Sequence, residues 1–354
     1  MLFKLYSYST ISNDWKIQPD AIAEVQFKKT PNVYYIQADG YVNFSEMDKG
    51  FYQYDNSPFK SYLEQNGFKN YANFRSNYPT TLESNASTFM MKHHFFNNSL
   101  ITGEIYNSRN TIISKNTVLD VFNNNGYKTY FVSETPYMLL NRPKMGYDVS
   151  NIAYSEIAYL NNGIGKRRDI VEPVLNLVSQ EINSPKFFFV QILKPWHIHS
   201  RKRHTLYKEK ERLAWLESLE EANVILKELV SEILKKDPDA LLIITADHGG
   251  YVGMDYTDQT IAKSQNRDFI YSIFSSQLSI RWPNNEAPTY DAHFASSVNL
   301  FRILFSYLSN NEAYLEYLQE DSSYTIIREG APEGIYKYID HDGHIVFEGI
   351  NATD

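Results

Sequence analysis

Three observations predict an α/β protein with a mostly parallel central sheet and helices on both faces. Short, nearly continuous apolar runs alternate with longer segments of helical spacing. Three of those runs stop at polar clusters of Asp, His and Gly, as buried parallel strands do where their C-terminal ends meet a site. At 354 residues and 43% hydrophobic, the chain is long enough for one large domain with a small appendage.

Taken in order, residues 1–30 are mixed and polar and read as an N-terminal arm. Pro31-Asn32 then punctuates, and Val33-Tyr34-Tyr35-Ile36 forms a β-rich run that stops at Asp39-Gly40. Helical stretches follow near 57–66 and 81–92, the second opened by Thr80-Thr81, a bland Thr N-cap if it does nothing else. A helix or loop near 115–125 precedes a strand at 128–132, set off by Asn123-Asn124-Asn125-Gly126. A helix at about 169–182 leads to the apolar strand 187–193, which ends at Lys194-Pro195-Trp196-His197. The longest helix, about 205–236, carries Leu216, Leu219, Leu226, Leu229 and Ile233 near helical spacing. It feeds the clearest strand, 240–245, which ends at Asp247-His248-Gly249-Gly250. A strand near 268–281, a helix near 295–308 and a hairpin around Asp342-Gly343 complete the reading. The expected division is an arm at 1–30, a catalytic domain at 31–310 and a C-terminal extension with a β-hairpin at 311–354.

Composition removes several functions. Twenty-eight Tyr and 21 Phe are far too many for a disordered chain. A net charge of −8 disfavours nucleic acid as a partner. With no Cys, disulfides, thiolate nucleophiles and zinc–thiolate sites are excluded. No run approaches the roughly 20 apolar residues of a membrane span, and the N-terminus is too polar for a signal peptide. The chain as written is expected to be soluble, or the soluble part of a membrane-anchored protein.

The chemistry sits at the strand ends. Two carboxylates, Asp39 and Asp247, and the imidazole of His248 make a ligand set for a borderline divalent cation. Each piece also has a plain reading, Asp-Gly as a turn and Asp-His-Gly as a helix start. Thr81, at a helix N-terminus where anions are favoured, is placed to act as a nucleophile once its hydroxyl is activated.

These segments together resemble the alkaline phosphatase and sulfatase superfamily, in particular the sulfatase-like hydrolases and transferases that modify bacterial surface polymers. The residues carrying the likeness are Asn32 to Tyr41 for the opening strand, Ser76 to Ser87 for the nucleophile segment and 188–199 for the central strand and histidine loop. Ile244-Thr245-Ala246-Asp247-His248-Gly249 and Ser296 to Arg302 follow in the same order. The resemblance implies an alkaline phosphatase-like α/β/α sandwich in which Asp39, Thr81, Asp247 and His248 share one divalent metal, Zn or Mn ahead of Mg or Ca. It implies catalytic roles for Thr81, His197 and His199, with Asn77 and His293 as substrate-binding candidates; Arg75 joins them because a guanidinium fork suits phosphate, its plain reading being a surface ion pair. Sulfatases of the superfamily convert a Cys or Ser to formylglycine, with Pro and Ser two and three residues later. Here Thr81 is followed by Glu83 and Ser84, which speaks against formylglycine, and a Thr nucleophile resembles the phosphoethanolamine- and phosphoglycerol-transferring branch. The expected activity is phospho-transfer from a phosphodiester donor, such as a phospholipid, to a glycan or lipid acceptor. Membrane association would then come through a segment not in this sequence, and the location would be the outward face of a bacterial envelope, or the cytoplasm if the chain is complete. The rivals are a plain phosphate- or sulfate-ester hydrolase and a non-catalytic binder of anionic polymers.

Three further clusters have plain readings. Lys92-His93-His94 is expected to be a solvated helix cap, and His341-Asp342-Gly343-His344 a hairpin turn. The basic run 194–204 is either a seat for a polyanion or a solvated loop.

Overall fold

The computed structural model describes residues 11–98, 105–160 and 162–350. Its centre is a seven-stranded sheet of β1 (Val33–Ala38), β2 (Phe68–Asn70), β3 (Lys128–Ser133), β4 (Val149–Ser150), β5 (Lys186–Ile192), β6 (Leu241–Thr245) and β7 (Leu278–Arg281). The order across the sheet is β2-β7-β6-β1-β5-β3-β4. β1 lies between β5 and β6, with Val33 beside Phe187 and Leu241, and all three run parallel. β7 alone is antiparallel to both of its neighbours.

Successive residues of a strand face opposite sides, which explains the unbroken apolar runs. Tyr34, Ile36, Phe188, Val190, Leu242 and Ile244 pack on one face with α2 (Ser57–Gln65), α5 (Val171–Val178), α6 (Lys208–Lys236) and α7 (Arg267–Phe274). Val33, Tyr35, Phe187, Phe189, Leu241 and Ile243 pack on the other, against α3 (Thr81–Met90), α4 (Thr117–Asn124) and α8 (Leu300–Ser309). The three-layer α/β/α arrangement expected from the sequence is the one found. A one-turn helix, α1 (Phe44–Met47), follows the loop after β1.

Two elements differ from expectation. The segment read as a strand from 268 to 281 is α7 followed by β7. The β-branched and aromatic content of 269–274 conceals an i, i+3, i+4 set, Ile270, Ile273 and Phe274, all buried. Asn266 starts that helix by accepting the Asp268 and Phe269 N–H groups. The C-terminal hairpin is part of a separate three-stranded antiparallel sheet, β8 (Ser323–Ile327), β9 (Gly334–Ile339) and β10 (Ile345–Ile350). The arm, whose first ten residues lie outside the described ones, packs on the domain. Asp20 pairs with the buried Arg302 of α8, and Phe27 sits against Phe122, Tyr127 and Phe305.

The pair after α3 is also not a solvated cap. His93 and His94 are buried, His94 stacking on Tyr78 with ring centroids 3.8 Å apart. His93 Nε2 meets the Glu320 carbonyl and His94 Nε2 the Glu83 carbonyl, which joins α3 to the segment before β8. Burial pushes their pKa values down to about 4 and about 3. The folded state therefore binds fewer protons than the unfolded chain, whose imidazoles titrate near 6.5. Their stabilising contribution is complete above that pH and is lost as pH falls from about 6.5 toward about 4 for His93 and about 3 for His94. The melting temperature is expected to drop through this window, and to drop less steeply in His94→Leu. Parallel pH profiles of the two proteins in scanning calorimetry would contradict this account.

Candidate active site

Three strand ends and one helix start converge. β1 delivers Asp39, whose N–H donates to the Ile192 carbonyl at the end of β5. The chain then turns sharply at Gly40, with φ of +70°. A Cβ there would stand 2.0 Å from the Trp196 carbonyl oxygen, so the histidine loop can close over Asp39 only past a glycine. That loop is held by Trp196 N–H to the Asp39 carbonyl at 2.7 Å and by Trp215 Nε1 of α6 to the Trp196 carbonyl at 2.9 Å. β6 delivers Asp247 and His248. Gly249 beside them is equally constrained, since a Cβ would come within 2.3 Å of the Ser272 carbonyl.

Thr81 is the first residue of α3, and Thr80 takes the N-cap position without a side-chain capping bond. The expected cap role is therefore absent: Thr80 points to solvent while Thr81 is buried. The Thr81 hydroxyl lies 3.4 Å from Asp39 Oδ2 and 3.2 Å from His248 Nε2. Its position is fixed from behind by an amide pair that links β1 to α3. Gln37 Nε2 donates to Asn85 Oδ1 at 2.8 Å and Asn85 Nδ2 donates to Gln37 Oε1 at 3.1 Å. Asn85 also donates to the Thr81 carbonyl.

His248 Nδ1 donates to the Gly249 carbonyl at 2.8 Å, which leaves Nε2 as an acceptor facing the carboxylates. Nε2 is 3.6 Å from Asp247 Oδ2 and 3.9 Å from Asp39 Oδ1. Asp247 Oδ1 accepts the N–H groups of Gly40 and His248. Two buried oxygens, Asp39 Oδ1 and Asp247 Oδ2, have no hydrogen-bond partner. Burial and the nearby Asp247 charge hold the Asp39 carboxyl well above the usual range. Unpaired buried carboxylate oxygens beside an imidazole acceptor are costly unless a cation joins them, and Asp39, Asp247 and His248 offer ligand atoms within 4.8 Å of one another. The donor set fits a divalent metal.

His197 is the histidine of its loop that reaches the site, its ring 6.0 Å from that of His248 and 5.8 Å from that of Tyr251. Its Nδ1 lies 2.6 Å from the Ile198 carbonyl, and burial, with a smaller effect of His248, lowers its pKa to about 4. It is neutral at pH 7. His199, expected beside it, instead turns to Glu211 of α6 at 3.0 Å.

The substrate-binding candidates are placed elsewhere. Arg75 is a strut: its guanidinium donates to the carbonyls of Asp321, Asp340 and His341 and ties the main sheet region to the small one. Asn77 is fully engaged, donating to Ser296 Oγ and the Ser322 carbonyl and accepting from Ser297 Oγ and the Val298 N–H. The sequence marked Arg75 for its phosphate-binding fork and Asn77 as part of the nucleophile segment, but a buried polar group must first satisfy its neighbours. His293 is exposed in the turn Asp291–His293, where Asp291 pairs with Lys69 at the sheet edge. Asp340, Asp342 and His344 also approach one another, on the exposed β9–β10 turn as the hairpin reading expected.

The sequence reading missed Gln37, Asn85 and Arg167. Gln37 had a signal, as the one polar side chain in an apolar strand, and so had Asn85, one helical turn beyond Thr81. Arg167 had none. It lies over the Trp196 ring at 5.6 Å and its charge acts on both Asp39 and the buried Glu134. A cation thus overlooks the two-carboxylate centre from a loop.

The solved structures similar to this one share the fold at low identity. The periplasmic domain of EptC from Escherichia coli, in complex with Zn, superposes with a TM-score of 0.56 at 10% identity, covering 89% of this chain and 93% of that one. The lipoteichoic acid synthase LtaP from Listeria monocytogenes gives 0.57 at 14% identity, over 94% and 92% of the two chains. The putative sulfatase YidJ from Bacteroides fragilis gives 0.53 at 15%, over 82% and 76%. A search of curated proteins by sequence finds no match. The family model Sulfatase matches residues 31–309, which takes in both acidic strand ends, Thr81 and the histidine loop. The chain belongs to the sulfatase family, on an alkaline phosphatase-like fold.

Proposed function

We propose that this chain is a metal-dependent phospho-transfer enzyme in which Thr81 attacks a phosphodiester and hands the phosphoryl group to a second hydroxyl. The observation that carries the reading is the Thr81 hydroxyl, unmodifiable to formylglycine, held 3.2–3.4 Å from His248 and Asp39. A divalent cation on Asp39, Asp247, His248 and the Thr81 oxygen would lower the hydroxyl's pKa and offset charge on the phosphoryl oxygens.

The chain's own groups do the rest. Thr81 Oγ1 forms the bond to phosphorus as the bond to the departing oxygen breaks, and His197 takes the proton Thr81 gives up and returns it to that oxygen, so that the donor leaves as an alcohol and His197 is neutral again. The N-terminal turn of α3 favours the anion. Neutral His197 has an acceptor nitrogen free to take the proton of the incoming hydroxyl in the second half, in which the bond from Thr81 to phosphorus breaks and Thr81 is regenerated. Arg167 supplies positive charge toward the non-bridging oxygens. The donor is a diester such as a phospholipid, and the acceptor a glycan or lipid hydroxyl.

A panel of aryl phosphodiester, aryl phosphate and aryl sulfate with added Zn or Mn tests the reaction class. Diesterase activity is expected to exceed sulfatase activity. The reverse order would assign the protein to sulfate-ester hydrolysis.

A further inference from the structure

Large apolar side chains grouped together in solvent, beside a cluster of one charge sign, mark an interaction surface, and here two such segments flank the histidine loop. Leu160 is 100% exposed and Tyr159 90%, while Ile164, Leu206 and Tyr207 are also exposed. Asn162 and Ile164, just after the Tyr159-Leu160 tip, share a cavity of about 500 Å³ with Trp196, His197, Arg201, Arg203 and His204, just before Leu206 and Tyr207. Its wall includes His197 and Ile164, so this cavity links the loop after the apolar tip to the histidine loop of the site.

The charge around them opposes that of the chain, which is −8 overall. Residues 195–208 carry Arg201, Lys202, Arg203 and Lys208 and no Asp or Glu, and Lys166, Arg167 and Arg168 follow the other segment. Of the acids nearby, Glu156 pairs with Arg168, Asp169 accepts the Val171 and Glu172 N–H groups at the start of α5 and Glu209 pairs with Arg212, while Asp255 and Asp258 join the 200–205 segment through backbone hydrogen bonds. The apolar tip is braced as well. Arg142 lies 4.1 Å from the Tyr159 ring centre and donates to the Tyr154 and Ile157 carbonyls, and Ile157 is buried beneath.

We infer that this rim is a docking surface for a bilayer bearing anionic phospholipids. Tyr159 and Leu160 enter the headgroup boundary, and Lys166, Arg201, Lys202 and Arg203 meet the lipid phosphates. The contact proposed is an adsorbed one, made by side chains at the headgroup level and not by a spanning helix. An acidic polysaccharide would use the cations and could stack on Tyr159, but the fully exposed aliphatic Leu160 suits a hydrocarbon boundary and favours lipid. The inference concerns adsorption and not turnover, so it stands apart from the role of Thr81.

Co-sedimentation of the full chain with phosphatidylglycerol-containing and pure phosphatidylcholine vesicles tests it. Binding is expected to the anionic vesicles only and to weaken in high salt. Tyr159→Ser with Leu160→Ser, and separately Arg201→Glu with Arg203→Glu, are each expected to lower it roughly tenfold without changing the melting temperature. Thr81→Ala should bind as the parent does, which separates loss of docking from loss of chemistry. Equal binding to both vesicle types, undiminished binding by the Tyr159/Leu160 variant, or full competition by a soluble acidic polysaccharide would overturn the inference.

Discussion

Thr81→Ala is expected to lower turnover at least about a thousandfold while leaving the fold intact. The hydroxyl is the one group at the helix start that faces both Asp39 and His248, and no neighbouring hydroxyl can replace it, since Thr80 points to solvent. The structural cost is small. Thr81 makes no capping bond, so Ala removes one hydrogen bond to Asp39, about 1 kcal/mol, from a fold of several times that stability. The two terms are measured separately, turnover on an aryl phosphodiester and melting by calorimetry. In the parent protein, rapid acid quenching during turnover should leave phosphate on Thr81, detectable by peptide mass spectrometry. A fully active Thr81→Ala, or phosphate found on another residue, would remove the nucleophile assignment.

Asp247→Asn is expected to act in opposite directions on metal binding and on the stability of the metal-free protein. Asn keeps an oxygen in place to accept the Gly40 and His248 N–H groups. What it removes is the carboxylate charge at Oδ2, which has no partner in the metal-free arrangement. Divalent metal affinity should fall roughly a hundredfold or more, because one of three charged or lone-pair donors loses its charge. The metal-free variant should nevertheless melt higher near pH 7. Asp39, whose pKa is raised by burial and by Asp247, resists ionisation in the fold but not in the unfolded chain. Below about pH 3.8 both states are protonated and there is no penalty; as pH rises, the unfolded chain ionises first and the fold loses stability until Asp39 itself ionises. Removing the Asp247 charge relieves part of that penalty. Calorimetry with chelator and with added Zn or Mn measures both effects. A metal-induced rise in melting temperature as large in Asp247→Asn as in the parent would show that the metal, if bound, sits elsewhere.

What the sequence determined was the part of the protein encoded in local pattern. The apolar runs at 33–36, 187–193 and 240–245 could only be buried strands. The Asp, His and Gly residues at their ends marked Asp39, Asp247 and His248, because parallel strands present their C-terminal ends to one side whatever lies between them. The helix from 208 to 236 was legible for the same reason, its apolar spacing being sustained over many turns. Local pattern failed where a side chain's role depends on what packs against it. Arg75 and Asn77 stand beside Thr81 in sequence, yet backbone carbonyls and serines of the 296–341 region engage them first. His93 and His94 looked like a wet helix end and are buried, because Tyr78 and Tyr324 close over them. The choice between His197 and His199 rested on Glu211, twelve residues further on, which draws His199 away. Arg167 reaches the centre from a loop with no periodicity to read. Strand direction is a property of the chain, whereas the partner of a buried polar group is chosen by desolvation, which no single segment can specify.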